Sequence, residues 1–269
     1  MEKFVPASAG DKDVKFLAVS AHKDDMEMFA FDGIVRSARG EGGFVGVVLT
    51  DGGACPRAPQ FAGVSDEDMA ELRSAEQKRA AETGGYNALY LFEESSAAVK
   101  ERRASLVDGV EAVLREYPRL KALYLHNPFD RHPTHVGAFC VAMDAVRRLP
   151  EDMLPEKIYG CEVWRDLDWV PDSEKVVFDV SGSEGFASDL MASFVTQNAV
   201  KRYDIAALAR RKAHATFGKS HEGDTATALI YAVDLTPLAR GTDADTEAYV
   251  RDMLRRFDED MHREVWLKK

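Results

Sequence analysis

Cysteine is scarce in this 269-residue sequence, and long hydrophobic runs are absent. The three cysteines, Cys55, Cys140 and Cys161, are widely separated and form no C-x-x-C pair, which excludes a disulfide scaffold. We expect them to be free thiols. No apolar run approaches the roughly 18 residues that a membrane span needs, and the first residues contain no signal-peptide core. The sequence therefore predicts a cytoplasmic protein without an integral membrane segment.

Positive charge is also in short supply. The chain has 35 Lys and Arg against 46 Asp and Glu, which gives a formal charge of −11 and a pI near 5.2. Proteins that coat nucleic acid or an anionic membrane need concentrated Lys and Arg, so we expect neither partner. Motifs for other chemistry are missing as well. There is no G-x-x-x-x-G-K-S/T loop, no G-x-G-x-x-G after the first strand and no G-x-S-x-G elbow.

What the sequence does have is a regular alternation of short apolar strands and helical segments. Strands are predicted at 14–20, 44–50, 88–92 and 121–126, and helices at 25–39, 66–83, 105–117 and 135–149. Fully apolar strands separated by helices indicate a mainly parallel sheet that is covered on both faces. The predicted fold is therefore α/β, a Rossmann-like doubly wound sheet.

The second half of the chain has a looser pattern. It predicts strands at 157–163 and 175–180 and helices at 186–197, 203–215 and 243–265. No repeat and no Pro/Gly/Ser-rich linker divides the sequence, so we predict one domain over residues 1–269. The part from about 155 to 269 is expected to complete the substrate pocket of that domain.

A polar cluster follows the first predicted strand, where ligands bind in open α/β sheets. It contains His22, Asp24, Asp25 and Glu27. His22 and Asp25 have a spacing suited to a divalent ion. A site with three protein ligands leaves a position open for water, as in catalytic zinc sites. The alternative is that the two aspartates merely cap the following helix. Capping does not explain the histidine at the end of the strand.

A second cluster, Asp130-Arg131-His132-Pro133-Thr134-His135, follows a later strand at the same edge of the predicted sheet. Two histidines three residues apart are a weak signal alone, because surface histidines often cluster by chance. Loops at equivalent strand ends converge in space, however. The two clusters together predict a three-ligand site made of His22, Asp25 and one of the two histidines.

Placed in these loops, the motifs His22-x-Asp24-Asp25-x-Glu27 and Asp130-x-His132-x-x-His135 resemble those of the PIG-L/LmbE family of metal-dependent de-N-acetylases. The resemblance extends over most of the first two hundred residues. It includes Thr50-Asp51-Gly52, the helix with Arg73-x-x-Glu76, and the segment 177–181 that runs on to Thr196-Gln197. The sequence departs from the family pattern at Lys23, where the family has proline, and at Phe194, where many members have histidine.

The resemblance implies the LmbE-like fold and assigns roles to individual residues. His22, Asp25 and His135 would bind one divalent metal ion, with Zn²⁺ as the expected metal. Asp24 would be the general base that activates metal-bound water, and His132 would face the developing oxyanion. These roles agree with general chemistry, since a metal lowers the pKa of bound water to about 7 and a nearby carboxylate accepts its proton.

The resemblance also implies that Arg73 contacts the substrate, where it would offer a planar fork of donors to hydroxyls or a phosphate. The alternative is an ion pair on the helix surface with Glu76 or Glu71. Asp51 and Asp130 are expected to orient the histidine ligands from behind. The alternative for Asp51 is a simple turn residue before two glycines.

The segment 160–169 combines indoles, carboxylates and an arginine at the end of a strand. Aromatic faces and forked polar groups suit a sugar ring, so we predict that Glu162, Trp164 and Arg165 contact the substrate. The alternative is an ordinary amphipathic edge on which the indole packs and the charges face water.

Three functions are consistent with these residues. The first is removal of an N-acetyl group from an amino sugar or glycoconjugate, such as an N-acetylglucosamine derivative. The second is an amidase with the same metal and another small N-acyl substrate. The third is a non-catalytic sugar-binding or metal-sensing protein that retains the fold. The expected partner is a small molecule, and the family resemblance suggests a homo-oligomer.

Overall fold

A computed structural model describes residues 1–219 and 221–263, in which eight strands form a single sheet. The strands are β1 (Glu2–Phe4), β2 (Val14–Ser20), β3 (Gly43–Thr50), β4 (Ala88–Glu94), β5 (Ala122–His126), β6 (Ile158–Cys161), β7 (Lys175–Asp179) and β8 (Leu229–Asp234). The helices are α1 (Asp25–Phe29), α2 (Phe31–Ala38), α3 (Asp66–Gly84), α4 (Ser96–Lys100), α5 (Ala104–Glu116), α6 (Pro133–Arg147), α7 (Glu184–Met191), α8 (Val195–Asn198), α9 (Tyr203–Phe217) and α10 (Asp243–Arg263). No helix in these ranges is long and apolar enough to cross a membrane.

The strand order is β1-β4-β3-β2-β5-β6-β8-β7. The five strands from β4 to β6 run parallel, while β1 pairs antiparallel with β4 at one edge, and β8 pairs antiparallel with both β6 and β7 at the other. The predicted mainly parallel, doubly wound α/β fold is therefore confirmed.

Both faces of the sheet are buried because successive side chains of a strand point to opposite sides. In β2, Leu17 and Val19 pack into one core with residues of α4, α5 and α6. Phe16 and Ala18 pack into the other core with residues of α1, α2, α3 and α7. This explains why the central strands are apolar throughout rather than alternating.

The structure differs from the sequence-based assignment in several elements. The helix predicted at 25–39 divides at Ala30, whose backbone (φ −99°, ψ 18°) leaves the helical region between α1 and α2. The helix predicted at 186–197 is likewise two short helices, α7 and α8. The strands β1 and β8 were not predicted. The last two residues of the helix predicted at 243–265 lie outside the described residues.

The strand order reverses at β2, which positions the site. From β2 the chain moves to β3 and β4 on one side, and later to β5 and β6 on the other. Loops that leave the carboxyl ends of β2 and β5 therefore diverge over opposite faces and open a crevice between them, which is where ligands bind in such sheets.

Candidate functional site

Three potential metal-ligand atoms converge at this crevice. The Nδ1 atom of His22 lies 3.2 Å from Oδ2 of Asp25 and 3.1 Å from Nε2 of His135. Nε2 of His135 lies 3.4 Å from the same carboxylate oxygen. His22 follows β2, Asp25 begins α1, and His135 lies in the first turn of α6 after β5. The strand reversal thus brings together residues from both sequence clusters.

The spacing of these three atoms fits a small divalent cation. Ligands bound tetrahedrally at 2.0–2.1 Å stand about 3.3 Å apart. Each of the three atoms can present a lone pair to such a cation, the two imidazole nitrogens in the tautomer that leaves them unprotonated. Burial lowers the pKa of His135 to about 4, so its imidazole is neutral at pH 7 and able to act as a ligand.

Asp130 holds His135 from behind. Its Oδ2 lies 3.3 Å from Nδ1 of His135, which favours the tautomer whose Nε2 lone pair points to the crevice. The same carboxylate accepts hydrogen bonds from the backbone N–H groups of His132 (2.9 Å) and Trp164 (3.2 Å). Asp130 therefore fixes the loop as well as the imidazole.

His126 is a fourth imidazole at the centre, and the sequence analysis did not single it out. It ends β5, is fully buried, and stacks on His135 with ring centroids 4.0 Å apart. Its Nε2 is 3.4 Å from Oδ2 of Asp25, but it accepts a hydrogen bond from the N–H of Ala21 at 2.9 Å. Because this lone pair is already engaged by Ala21, Nε2 of His126 is less available to a metal ion than the nitrogens of His22 and His135.

His132 lies over the open side of the centre. Its ring centroid is 5.0 Å from His22 and 4.7 Å from His135, and the atoms of these three histidines are close enough to share an ion. Burial, with the neighbouring His22, lowers the pKa of His132. This favours the neutral imidazole, whose N–H can donate a hydrogen bond.

Asp24 is a buried residue that lines the same cavity as His22 and Asp25. Its backbone is left-handed (φ 91°, ψ −24°), a conformation that costs a non-glycine residue about 1–2 kcal/mol. Its side chain has no hydrogen-bond partner in the described part of the chain, and its Oδ2 is fully enclosed. Burial raises the pKa of Asp24 well above its usual range, and the charge of Asp25 adds to this effect.

Two glutamines hold the strained backbone of Asp24. The N–H of Asp24 donates to Oε1 of Gln77 in α3 at 3.1 Å, and Nε2 of Gln197 in α8 donates to the carbonyl of Lys23. Gln77 in turn donates to Glu27 at 2.7 Å. All are buried. Strained residues of this kind persist only where the surroundings determine the backbone, and they are frequent at active sites.

A cavity of about 1200 Å³ opens in front of the centre. Arg73 lines it and is only 8% exposed, yet it forms no ion pair within residues 1–219 and 221–263. The carboxylate of Glu76 accepts from Thr196 instead, at 2.8 Å (N) and 2.7 Å (Oγ1). The ion pair considered for Arg73 on the helix surface is therefore wrong, and its guanidinium faces the cavity.

Lys23 replaces the family proline and lies inside the wall of the cavity. Its Nζ is fully buried, donates to the backbone carbonyl of Asp51 and lies 3.0 Å from Oε2 of Glu93. Asp51 was expected to orient a histidine, but its carboxylate accepts the N–H of Gly53 at 2.9 Å. The expectation is corrected because Asp51 closes its own turn, as the alternative proposed.

Of the three residues predicted in segment 160–169, only Trp164 lines the large cavity. Glu162 is buried, and its carboxylate accepts the N–H groups of Leu167 (3.1 Å) and Tyr231 (3.2 Å) and pairs with His214 at 3.1 Å. Arg165 is exposed and lines no described cavity. These two expectations are corrected, because one side chain is engaged internally and the other points away.

A comparison with known proteins identifies a similar family. Residues 17–146 match the family model described as "PIG-L: GlcNAc-PI de-N-acetylase". This range contains both loops of the candidate metal centre. A search of curated proteins found no match.

Solved structures share the fold at low sequence identity. One is GalB, the 4-carboxy-2-hydroxymuconate hydratase of Pseudomonas putida KT2440, with 17% identity and a TM-score of 0.65 over 82% of this chain and 96% of GalB. The N,N'-diacetylchitobiose deacetylase of Pyrococcus horikoshii has 15% identity and a TM-score of 0.61 over 82% and 84% of the two chains. The A40926 pseudoaglycone deacetylase Dbv21 has 15% identity and a TM-score of 0.62 over 82% and 97%.

At these identities the neighbours show the fold alone, and one of them is a hydratase, so the fold by itself does not determine the reaction. The family match includes the two histidine and aspartate loops that meet in the crevice. Segment 17–146 of this chain is therefore similar to the PIG-L (LmbE-like) deacetylase family.

Proposed function

We propose that this protein is a metal-dependent hydrolase that removes an N-acetyl group from an amino sugar or a related glycoconjugate. The observation that carries the proposal is the placement of Asp24. A buried carboxylate without a hydrogen-bond partner directly precedes the ligand residue Asp25 and lines the same cavity as His22 and Asp25. The three ligand atoms themselves stand 3.1–3.4 Å apart. A merely structural aspartate would be hydrogen-bonded, because an unpaired buried carboxylate is costly.

His22, Asp25 and His135 would hold one divalent ion, for which zinc is our first candidate because nitrogen and carboxylate ligands suit it. When bound, such an ion polarises a carbonyl group and makes a coordinated water acidic near neutral pH. Asp130 keeps His135 in the required tautomer. Asp130 therefore contributes to the affinity for the ion without contacting it.

The chain's own residues supply the proton transfers. Asp24 accepts a proton from the attacking water and returns it to the leaving amine, which suits a carboxyl group with a raised pKa. His132 donates its N–H to the carbonyl oxygen as negative charge develops there. Arg73 and Trp164 contact the sugar portion in the large cavity.

Both parts of the chain contribute to this proposed site. Residues 17–146 provide the centre, whereas Trp164, Gln197 and Tyr203 come from the part after about residue 155 and line the same cavity. We therefore propose a single LmbE-like unit over residues 1–269 in which the later part completes the pocket. An amidase for another small N-acyl compound would use the same residues, and the substrate panel below distinguishes the two.

The test combines metal analysis with amine release from a panel of N-acetyl sugars and simple N-acetyl amides. We expect about one zinc per chain, retained in Asp24→Asn and lost in His135→Ala. Amine release should fall at least 10²-fold in Asp24→Asn, because a general base contributes 10²–10⁴ in rate. Amides cleaved faster than sugars would favour the amidase. Failure to bind any divalent ion after reconstitution would refute the hydrolase and leave a sugar-binding protein.

A further inference from the structure

A second, smaller cavity lies behind the aromatic wall of the large one. Its volume is about 190 Å³. We call it the side pocket and define it by its main lining side chains: Met28, Val163, Trp164, Tyr203, Ala207 and Ile230. Most of these are aliphatic or aromatic, in contrast to the charged residues that surround the large cavity.

The side pocket begins one side chain away from the candidate metal centre. Met28, Trp164 and Tyr203 line both cavities and form the boundary between them. The Trp164 ring lies 5.9 Å from the ring of His132. Tyr203 lines the large cavity together with Asp24 and Asp25.

The polar side chains that border the side pocket already have partners. Glu162 is engaged by Leu167, Tyr231 and His214. Arg210 donates to the carbonyl of Val163. Arg211 donates through Nη2 to the carbonyls of Glu27 (3.0 Å) and Met28 (2.9 Å), while its buried Nη1 lacks a partner. The environment offered to an occupant is therefore mainly apolar, with one guanidinium nitrogen at its rear.

An amide carbonyl held at the centre has two substituents, an acyl group and an amine. The large cavity, with its charged rim, suits a hydroxylated amine component. The small apolar cavity suits a hydrocarbon chain. A single acetyl methyl would leave most of it empty, since its volume corresponds to about six water-sized groups.

We propose that the side pocket extends the acyl subsite of this hydrolase, so that the protein removes not only N-acetyl groups but also linear N-acyl chains of about six carbons, and removes the longer chains faster. This proposal rests on the hydrolase function proposed above and defines its substrate class. Burial of one methylene is worth about fourfold in kcat/KM. We therefore expect N-hexanoylglucosamine to be hydrolysed with at least tenfold higher kcat/KM than N-acetylglucosamine.

The test compares N-acetyl-, N-hexanoyl- and N-succinylglucosamine as substrates of the zinc-loaded protein and two variants. Ala207→Phe fills the side pocket, whereas Ala209→Phe adds the same ring at an exposed position of the same helix. The hexanoyl-to-acetyl ratio of kcat/KM should fall at least tenfold in Ala207→Phe and stay unchanged in Ala209→Phe.

The proposal is overturned if acetyl is preferred by the wild type, or if the ratio is the same in both variants. A preference for succinyl would also overturn it, since that outcome would mean that Arg211 selects a carboxylate. Calorimetric binding of the acetyl and hexanoyl compounds separates this proposal from the hydrolase function. If nothing is hydrolysed but hexanoyl binds more tightly and Ala207→Phe removes the difference, the hydrolase proposal fails and the pocket assignment stands. Equal binding overturns the pocket assignment.

Discussion

Replacing Gln77 with methionine should slow the proposed reaction although Gln77 does not reach the cavity. The side chain is fully buried, accepts the N–H of Asp24 and donates to Glu27. Methionine has a similar length and can make neither bond. Asp24 would then keep its left-handed backbone with only Gln197, through the carbonyl of Lys23, to hold it.

The magnitude follows from these contacts. An unsatisfied buried N–H costs about 1–3 kcal/mol, and Glu27 loses one of its two side-chain donors, the other being Tyr86 at 2.7 Å. We therefore expect the free energy of unfolding to fall by about 3 kcal/mol. A displacement of Asp24 by about 1 Å costs up to 10²-fold in rate. The prediction is a kcat reduced about 10- to 100-fold, with KM nearly unchanged because Gln77 does not line the cavity.

The assay is steady-state amine release, with zinc content and urea unfolding measured on the same preparations. Asn87→Leu is the matched control, because Asn87 also accepts one backbone N–H, from Phe44 at 3.1 Å, and donates to backbone carbonyls. It lies just before β4, at the amino end of that strand, whereas the candidate site lies at the carboxyl ends of the parallel strands. The reasoning is refuted if both variants lose similar stability and Gln77→Met retains wild-type kcat.

Three further predictions concern the neighbourhood of the centre. Asp130→Ala should weaken zinc binding about 10- to 100-fold in a chelator competition, and unchanged affinity would exclude its orienting role. Gly137→Ala should lower the free energy of unfolding by about 1–3 kcal/mol, because a Cβ would lie 2.9 Å from the carbonyl oxygen of Val99. A urea unfolding midpoint equal to that of the wild type would contradict this. Glu93→Gln should destabilise more than Lys23→Met, because it leaves a fully buried ammonium without its carboxylate, whereas Glu93 is 34% exposed and can be hydrated. The reverse order of urea midpoints would refute that argument.

Much of the centre was predictable because its members are close in sequence or follow predicted strands. His22 and Asp25 are three residues apart, and the placement of the second cluster after another apolar strand was enough to infer convergence. His126 was overlooked because a histidine that ends an apolar strand looks like part of the core. Its role depends on contact with Ala21, which is 105 residues away.

The residues that control Asp24 could not be predicted by local pattern. Gln77 is 53 residues from Asp24, and Gln197 is 174 residues from Lys23. Neither helix pattern distinguishes a glutamine that holds a backbone from one that faces water. The prediction that Glu162 contacts the substrate failed for a similar reason, since its partner Tyr231 lies on β8, a strand that was not predicted from the sequence.

The reversal of strand order at β2 also has a consequence for how this chain folds. His22 and His135 are 113 residues apart, and their contact requires β5 to be already aligned beside β2. A cation held between them would therefore act as a clip that joins two separately wound halves of the sheet. Its binding free energy would be added to the stability of the closed sheet according to RT ln(1 + [L]/Kd). Metal removal should then weaken the pairing of β2 with β5 before either half of the sheet unfolds. Faster amide hydrogen exchange at β2 and β5 would detect this.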